Sequence, residues 1–134
     1  SSILVGDSGS YRCVISEGNC GINSNAYDIT VAPLPEAKFS KSADMCLKNN
    51  AFSFTDQSTS SGTGNSITTR KWIFGTSGAK SSQTNPSYSY ASSGTYTVSL
   101  EVITALGCKS SIKQDSVTVF PQTSMSFTIN NNLS

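Results

Sequence analysis

Gly94-Thr95-Tyr96-Thr97-Val98-Ser99-Leu100-Glu101-Val102 alternates without a break. Tyr96, Val98, Leu100 and Val102 fall on one side of an extended chain, and Thr95, Thr97, Ser99 and Glu101 on the other. Successive side chains of a β-strand point to opposite faces, so this stretch is a strand with one dry and one wet face. The same period recurs on both sides of it. Ala51-Phe52-Ser53-Phe54-Thr55 turns Phe52 and Phe54 inward, Lys71-Trp72-Ile73-Phe74 turns Trp72 and Phe74 inward, and Ser116-Val117-Thr118-Val119 turns Val117 and Val119 inward. Nearer the N-terminus, residues 10–15 read as one strand, and Tyr27, Ile29 and Val31 mark another. Segments 58–66 and 75–86, rich in Ser, Gly and Asn, separate the runs as turns. No stretch carries a 3.6-residue apolar period with caps. Short strands spaced by turn signals predict an all-β antiparallel sandwich.

Composition narrows the chemistry. The 134 residues include 27 Ser and 14 Thr, nine basic and eight acidic side chains, and no His. A net charge of +1 supplies no basic field for nucleic acid or an anionic membrane surface. No apolar run approaches the roughly 20 residues of a membrane-spanning helix. The lack of His removes imidazole acid/base chemistry, His-dependent nucleophile pairs and His metal ligands from this chain. Residue 1 is Ser and no leader pattern precedes it, so the chain reads as a processed or trimmed piece of a longer protein.

Pro33-Leu34-Pro35 stiffens the chain and removes two donors, which marks 33–36 as a linker. Residues 37–120 have the size of one sandwich domain. Residues 1–32 supply two or three strands, too few for a core of their own, and read as the end of a preceding domain. Pro121-Gln122 opens a second connector, and Met125-Ser126-Phe127-Thr128-Ile129 reads as the first strand of a following domain within 121–134.

Four segments carry a resemblance to a known family: 52–58 (Phe-Ser-Phe-Thr-Asp-Gln-Ser), 72–75 (Trp-Ile-Phe-Gly), 85–90 (Asn-Pro-Ser-Tyr-Ser-Tyr) and 94–100 (Gly-Thr-Tyr-Thr-Val-Ser-Leu). In order and spacing, residues 50–120 resemble a PKD domain, an immunoglobulin-like sandwich common in bacterial surface and secreted proteins. The family reads Trp-Asp-Phe-Gly-Asp-Gly where this chain has Ile73 and Thr76, so the resemblance carries no carboxylate calcium site to this turn. Asp7-Ser8-Gly9-Ser10-Tyr11-Arg12-Cys13, Cys20-Gly21 and Ile29-Thr30-Val31 are similar to the last strands of a bacterial immunoglobulin-like domain, Tyr11 taking the place of its tyrosine corner. Together these imply immunoglobulin-like antiparallel β-sandwich modules in tandem. Such arrays look like Bacteroidetes-type secreted adhesins and multidomain enzymes exported by the type IX pathway.

The four cysteines favour an oxidising, extracellular location. A hairpin setting Cys13 opposite Cys20 permits a local bridge; two free thiols are the alternative. Cys46 and Cys108 form the second natural pair, although they flank the second and sixth strands, whose ends lie at opposite poles of an ideal sandwich. An intradomain bridge and bonds to neighbouring modules both remain open. A four-thiolate zinc site lacks the paired C-x-x-C spacing.

The acids Asp7, Glu17, Asp28, Glu36, Asp44, Asp56, Glu101 and Asp115 are spread over separate strands and turns, and none is singled out as catalytic. Asp56 reads as a brace for the turn after Phe54. Trp72, Phe74 and Tyr96 read as core, whereas Tyr88 and Tyr90 share a face and are the candidates for a sugar or peptide contact. Asp115-Ser116-Val117 is similar to the Asp-Ser/Thr-aliphatic pattern that Bacteroidetes glycosylate, making Ser116 a candidate O-glycosylation site. The expectation is a non-catalytic spacer of an extracellular adhesin or filament, with no cofactor and with neighbouring modules of the same chain as partners. An accessory or substrate-binding module of a secreted degrading enzyme is the alternative. Glycan or protein binding through the 58–66 and 106–110 loops is a third reading.

Overall fold

The structure, a computed structural model, describes residues 9–11, 14–17, 20–23, 25–75 and 77–124. In chain order its strands are β1 (Gly9–Tyr11), β2 (Val14–Glu17), β3 (Cys20–Asn23), β4 (Tyr27–Ile29), β5 (Phe39–Lys41), β6 (Met45–Cys46), β7 (Phe52–Asp56), β8 (Ile67–Phe74), β9 (Ala79–Ser81), β10 (Ser87–Tyr88), β11 (Gly94–Thr104) and β12 (Lys113–Phe120). There is no helix among the described residues.

The long alternating stretch becomes β11, the spine of a five-stranded sheet in the order β6-β12-β11-β8-β9. A three-stranded sheet, β10-β7-β5, supplies the second layer. Phe39, Phe52 and Phe54 face inward from the small sheet; Trp72, Phe74, Val98, Leu100, Val102, Val117 and Val119 face inward from the large one. Ring centroids lie 5.1 Å apart for Phe39–Trp72 and 5.3 Å for Phe54–Phe74, so aromatic rings fill the space between the layers. Trp72 is fully buried, and its indole N–H donates to the Gln83 carbonyl at 2.9 Å, which satisfies the one polar atom it brings inside. The inward residues expected from alternation in β7, β8, β11 and β12 are in this core, except Tyr96, which is partly buried and packs against its edge.

The first strand of the sandwich is broken. β5 pairs with β7 in the small sheet; the chain then crosses through Ser42, Ala43 and Asp44 and pairs β6 with β12 in the large one. The β6–β12 pairing is parallel (Val119 with Met45, Phe120 with Cys46) and places the first and last strands side by side. Alternation did not reveal β5 or β6, because three and two residues are too few to display a period.

The N-terminal segment differs from its sequence reading. Residues 10–15, expected as one strand, contribute to two: β1 pairs with β4, and β2 pairs with β3. The β2–β3 register sets Glu17 opposite Cys20 and Val14 opposite Asn23, so Cys20 has Glu17 and not residue 13 as its cross-strand partner. Cys13 itself lies outside the described residues, as does the strand expected at 125–129.

The expected linker at 33–36 is fastened to the sandwich. Buried Asn65 donates from Nδ2 to the Pro33 carbonyl (2.8 Å) and the Ser61 carbonyl (2.9 Å). Glu36 and Thr59 exchange backbone hydrogen bonds of 2.9 and 3.0 Å.

Candidate functional site

Four aromatic residues close the sandwich at the Gly94 end of β11. Tyr88 stacks on Phe74 (centroids 4.7 Å, planes 4° apart), meets Tyr90 edge-on at 4.8 Å, and Tyr90 stacks on Tyr96 at 3.9 Å. Gly75, at φ 70°, makes room for this stack: a Cβ there would stand 3.1 Å from Cδ1 of Tyr96. The Asn50 amide fixes the Tyr90 backbone, accepting from its N–H (2.7 Å) and donating to its carbonyl (2.8 Å).

This arrangement takes Tyr90 out of the expected Tyr88/Tyr90 contact pair. Tyr90 is 6% exposed, with Tyr88 and Phe52 against it and Tyr96 stacked on its ring, so it offers no face to a sugar or peptide. Tyr88 is half-buried and already stacked on Phe74. Burial, and then the neighbouring Tyr88 and Tyr96, push the Tyr90 hydroxyl up to about 12, and its oxygen has no hydrogen-bond partner. Tyr96, by contrast, donates from its hydroxyl to the Ser92 carbonyl at 2.9 Å. That bond back to the chain just upstream is the tyrosine-corner geometry.

Asp56 is the brace expected of it, and more. Its Oδ1 accepts the Ser58 N–H (2.9 Å), an Asx-turn, and its Oδ2 accepts from Nε of Arg70 at 2.5 Å. Burial alone pushes this carboxyl up, but the hydrogen bonds from Ser58 and Arg70 and the Arg70 charge outweigh it and hold Asp56 below its usual value. The pair joins β7 of one sheet to β8 of the other. Arg70 was legible in principle: it shares a face with Trp72 and Phe74, and a charge at such a position needs a partner.

The thiols are not brought together. Cys46 is exposed beside Phe120, and Cys108 lies half-buried in the loop after β11, where its N–H donates to Oγ1 of Thr104 (3.2 Å). Val119 pairs with Gly94, so Cys46 belongs to the Gly94 end of β11 and Cys108 to the Thr104 end. The strand between them spans about 30 Å at 3.3 Å per residue, against the roughly 7 Å a disulfide allows. Both are free, which corrects the intradomain Cys46–Cys108 bridge. Ser116 is exposed in mid-β12, its N–H bonded to Oδ1 of Asp115 (2.7 Å) and its carbonyl accepting from the Lys41 ammonium. No group of three or more Cys, Asp or Glu converges on a metal-sized space among the described residues. Ile73 is 38% exposed on the outer face of β8, and Thr76 lies outside the described residues.

Comparison with known proteins agrees with this sandwich. The PKD-domain family model matches residues 30–119, and so takes in the fastened 33–36 segment. Among solved structures, the PKD1 domain of Vibrio anguillarum Epp is similar at 28% identity and a TM-score of 0.57, over 68% of this chain and 99% of that one. The PKD1 domain from the Vibrio cholerae metalloprotease PrtV is similar at 25% identity and a TM-score of 0.56, over 66% and 99%. A carbohydrate-binding module from the β-sandwich superfamily shares the fold at 24% identity and a TM-score of 0.61, over 70% of this chain and 37% of that one. No curated protein matches the chain. With a family match over most of its length and the aromatic two-layer core in place, the chain belongs to the PKD-domain family.

Proposed function

We propose that this chain is a load-bearing, non-catalytic spacer of an extracellular adhesin or filament-like protein, one of several sandwich modules in tandem. PKD domains are non-catalytic modules found in extracellular proteins, and no helix among the described residues is long and apolar enough to cross a membrane. The observation that carries the reading is the parallel pairing of β6 with β12. The chain comes into the sandwich ahead of β6 and leaves it after β12. Tension on the two ends slides these strands past each other, so their hydrogen bonds are loaded together rather than peeled one at a time. Bonds from Leu47 N–H to the Phe120 carbonyl (2.8 Å), from Thr118 N–H to Asp44 (2.9 Å) and from Lys41 to the Ser116 carbonyl reinforce the same seam.

Single-molecule stretching of the full chain between handles tests the idea. The expected trace has one cooperative rupture for the sandwich, at a force lowered by the Lys41→Ala/Asp44→Ala double substitution. Gradual extension without a rupture peak would remove the mechanical role. A second reading, an accessory module of a secreted degrading enzyme, is favoured by the likeness to a domain from a metalloprotease. A catalytic domain in the parent polypeptide distinguishes it. Cys46 and Cys108, at opposite ends of the sheet, are then candidates for bonds to the modules on either side, and Ser116 for glycosylation, which intact mass above 14.1 kDa reveals.

A further inference from the structure

The two edges of the large sheet are built differently. On β12, residues 116, 118 and 120 turn backbone groups away from β11, and these groups are already occupied. The Thr118 N–H donates to Oδ1 of Asp44 (2.9 Å), the Ser116 N–H to Oδ1 of Asp115 (2.7 Å), the Ser116 carbonyl accepts from Lys41, and the Phe120 carbonyl accepts from Leu47 N–H (2.8 Å). Three side chains and the Leu47 backbone N–H occupy these groups and keep another strand off this edge.

The opposite edge is open. β9 pairs only with Trp72, Ile73 and Phe74 of β8. The Gly75 N–H donates to the Thr97 carbonyl, which fixes the alternation: residues 71, 73 and 75 present their backbone groups to β11, and residues 70, 72 and 74 present theirs to the outer edge. Past Trp72 no strand pairs with β8 on that side among the described residues, so the Arg70 peptide groups border a gap. There β9 ends and the chain turns away at Ser82, leaving a forked cavity of about 570 Å³ between residues 69–73 and 80–82. Ligand clefts typically hold roughly 300–1,000 Å³.

We propose that this fork is the docking site of an extended acidic peptide segment from a partner protein, which continues the sheet where β9 stops. Strand addition draws its binding energy from the free main-chain groups and its specificity from alternate side chains. On the outer face those side chains meet Lys71, Ile73 and Lys80, and Ile73 pairs directly with Lys80. The Lys71 side chain is 52% exposed and shares its charge with Glu101 at 3.3 Å; Lys80 is exposed and makes no ion pair among the described residues. Carboxylates at alternate positions, flanking an aliphatic side chain over Ile73, complement this face. The same face disfavours a second copy, since antiparallel pairing of two β8 edges brings Lys71 of both chains close together.

The test is selection of a display library of nine-residue segments, with Asp or Glu fixed at alternate positions, against the full chain, followed by titration of the ¹⁵N-labelled chain with the selected peptide. The expected result is enrichment of acidic segments that shift the amides of residues 69–73 and 80–82. Lys80→Glu, at an exposed site that leaves the near-ultraviolet signal of Trp72 intact, weakens binding by about tenfold, and a proline in the centre of the peptide abolishes it. Enrichment no greater than on the Lys80→Glu chain, or shifts confined to other residues, overturns the proposal. So does a panel of neutral oligosaccharides that shifts the fork amides while the peptides do not.

Discussion

Trp72 and Tyr90 are both buried aromatic residues, yet their polar atoms meet different fates. The Trp72 N–H reaches the Gln83 carbonyl, while the Tyr90 hydroxyl has no partner. Trp72→Ala removes the ring against which Phe39 and Phe54 pack, and is expected to cost about 3–5 kcal/mol of stability in urea denaturation. A loss under about 1 kcal/mol would place the indole outside the core. Tyr90→Phe is the opposite case. It discards a polar atom that folding leaves unpaired, so stability at neutral pH should hold or rise by up to about 1 kcal/mol. The pH dependence follows from the raised value. The unfolded chain ionises this tyrosine near 10.0, the folded one near 12, so the folded state loses stability as pH rises from about 10 to about 12. Alkaline melting curves of Tyr90→Phe should lack that component.

At the scale of elements, the Asp56–Arg70 pair fastens β7 to β8 across the two layers. Asp56 is held below the ordinary aspartate value of 3.8 in the folded chain, so it contributes stability above that pH, and the contribution disappears as pH falls through the lower, folded value. Asp56→Asn removes the charge while leaving Arg70 partly buried, and should cost about 3 kcal/mol at pH 7. The difference between variant and parent should shrink on acidification below pH 4, and thermal melts across pH 2–7 measure it. A difference unchanged over that range would mean that the carboxylate charge contributes nothing to holding the sheets together.

Across the whole molecule, the sandwich keeps its thiols apart. With Cys46 at one end of β11 and Cys108 at the other, peptide mapping of oxidised, monomeric chain should find no Cys46–Cys108 cross-linked fragment. Finding one would require the sheet to be assembled in another register. The same layout carries the mechanical reading. On the proposed mechanical role, tension on a sandwich whose first and last strands lie parallel would load the hydrogen-bonded seam between them, and the Asn65 bond to the Pro33 carbonyl ties the segment ahead of it to the sandwich.

Period-two alternation is a local property, so the chain written out as letters already places Phe52, Phe54, Trp72, Phe74, Val98, Leu100, Val102, Val117 and Val119 in a dry interior, and with them the all-β class. The Asx brace at Asp56 is equally local, since a side chain two residues from its partner needs no fold to find it. The alternating pattern does not contain the depth at which a residue sits along the sheet. Tyr88 and Tyr90 share a face, but the space left at Gly75 and the clamp of Asn50 bury one and leave the other half-exposed. Nor does it contain the crossing from β5 to β6, the separation of Cys46 from Cys108, or the contrast between a plugged edge and an open one. Each of these depends on which distant segments become neighbours, and that is fixed only when the two layers close on a shared core.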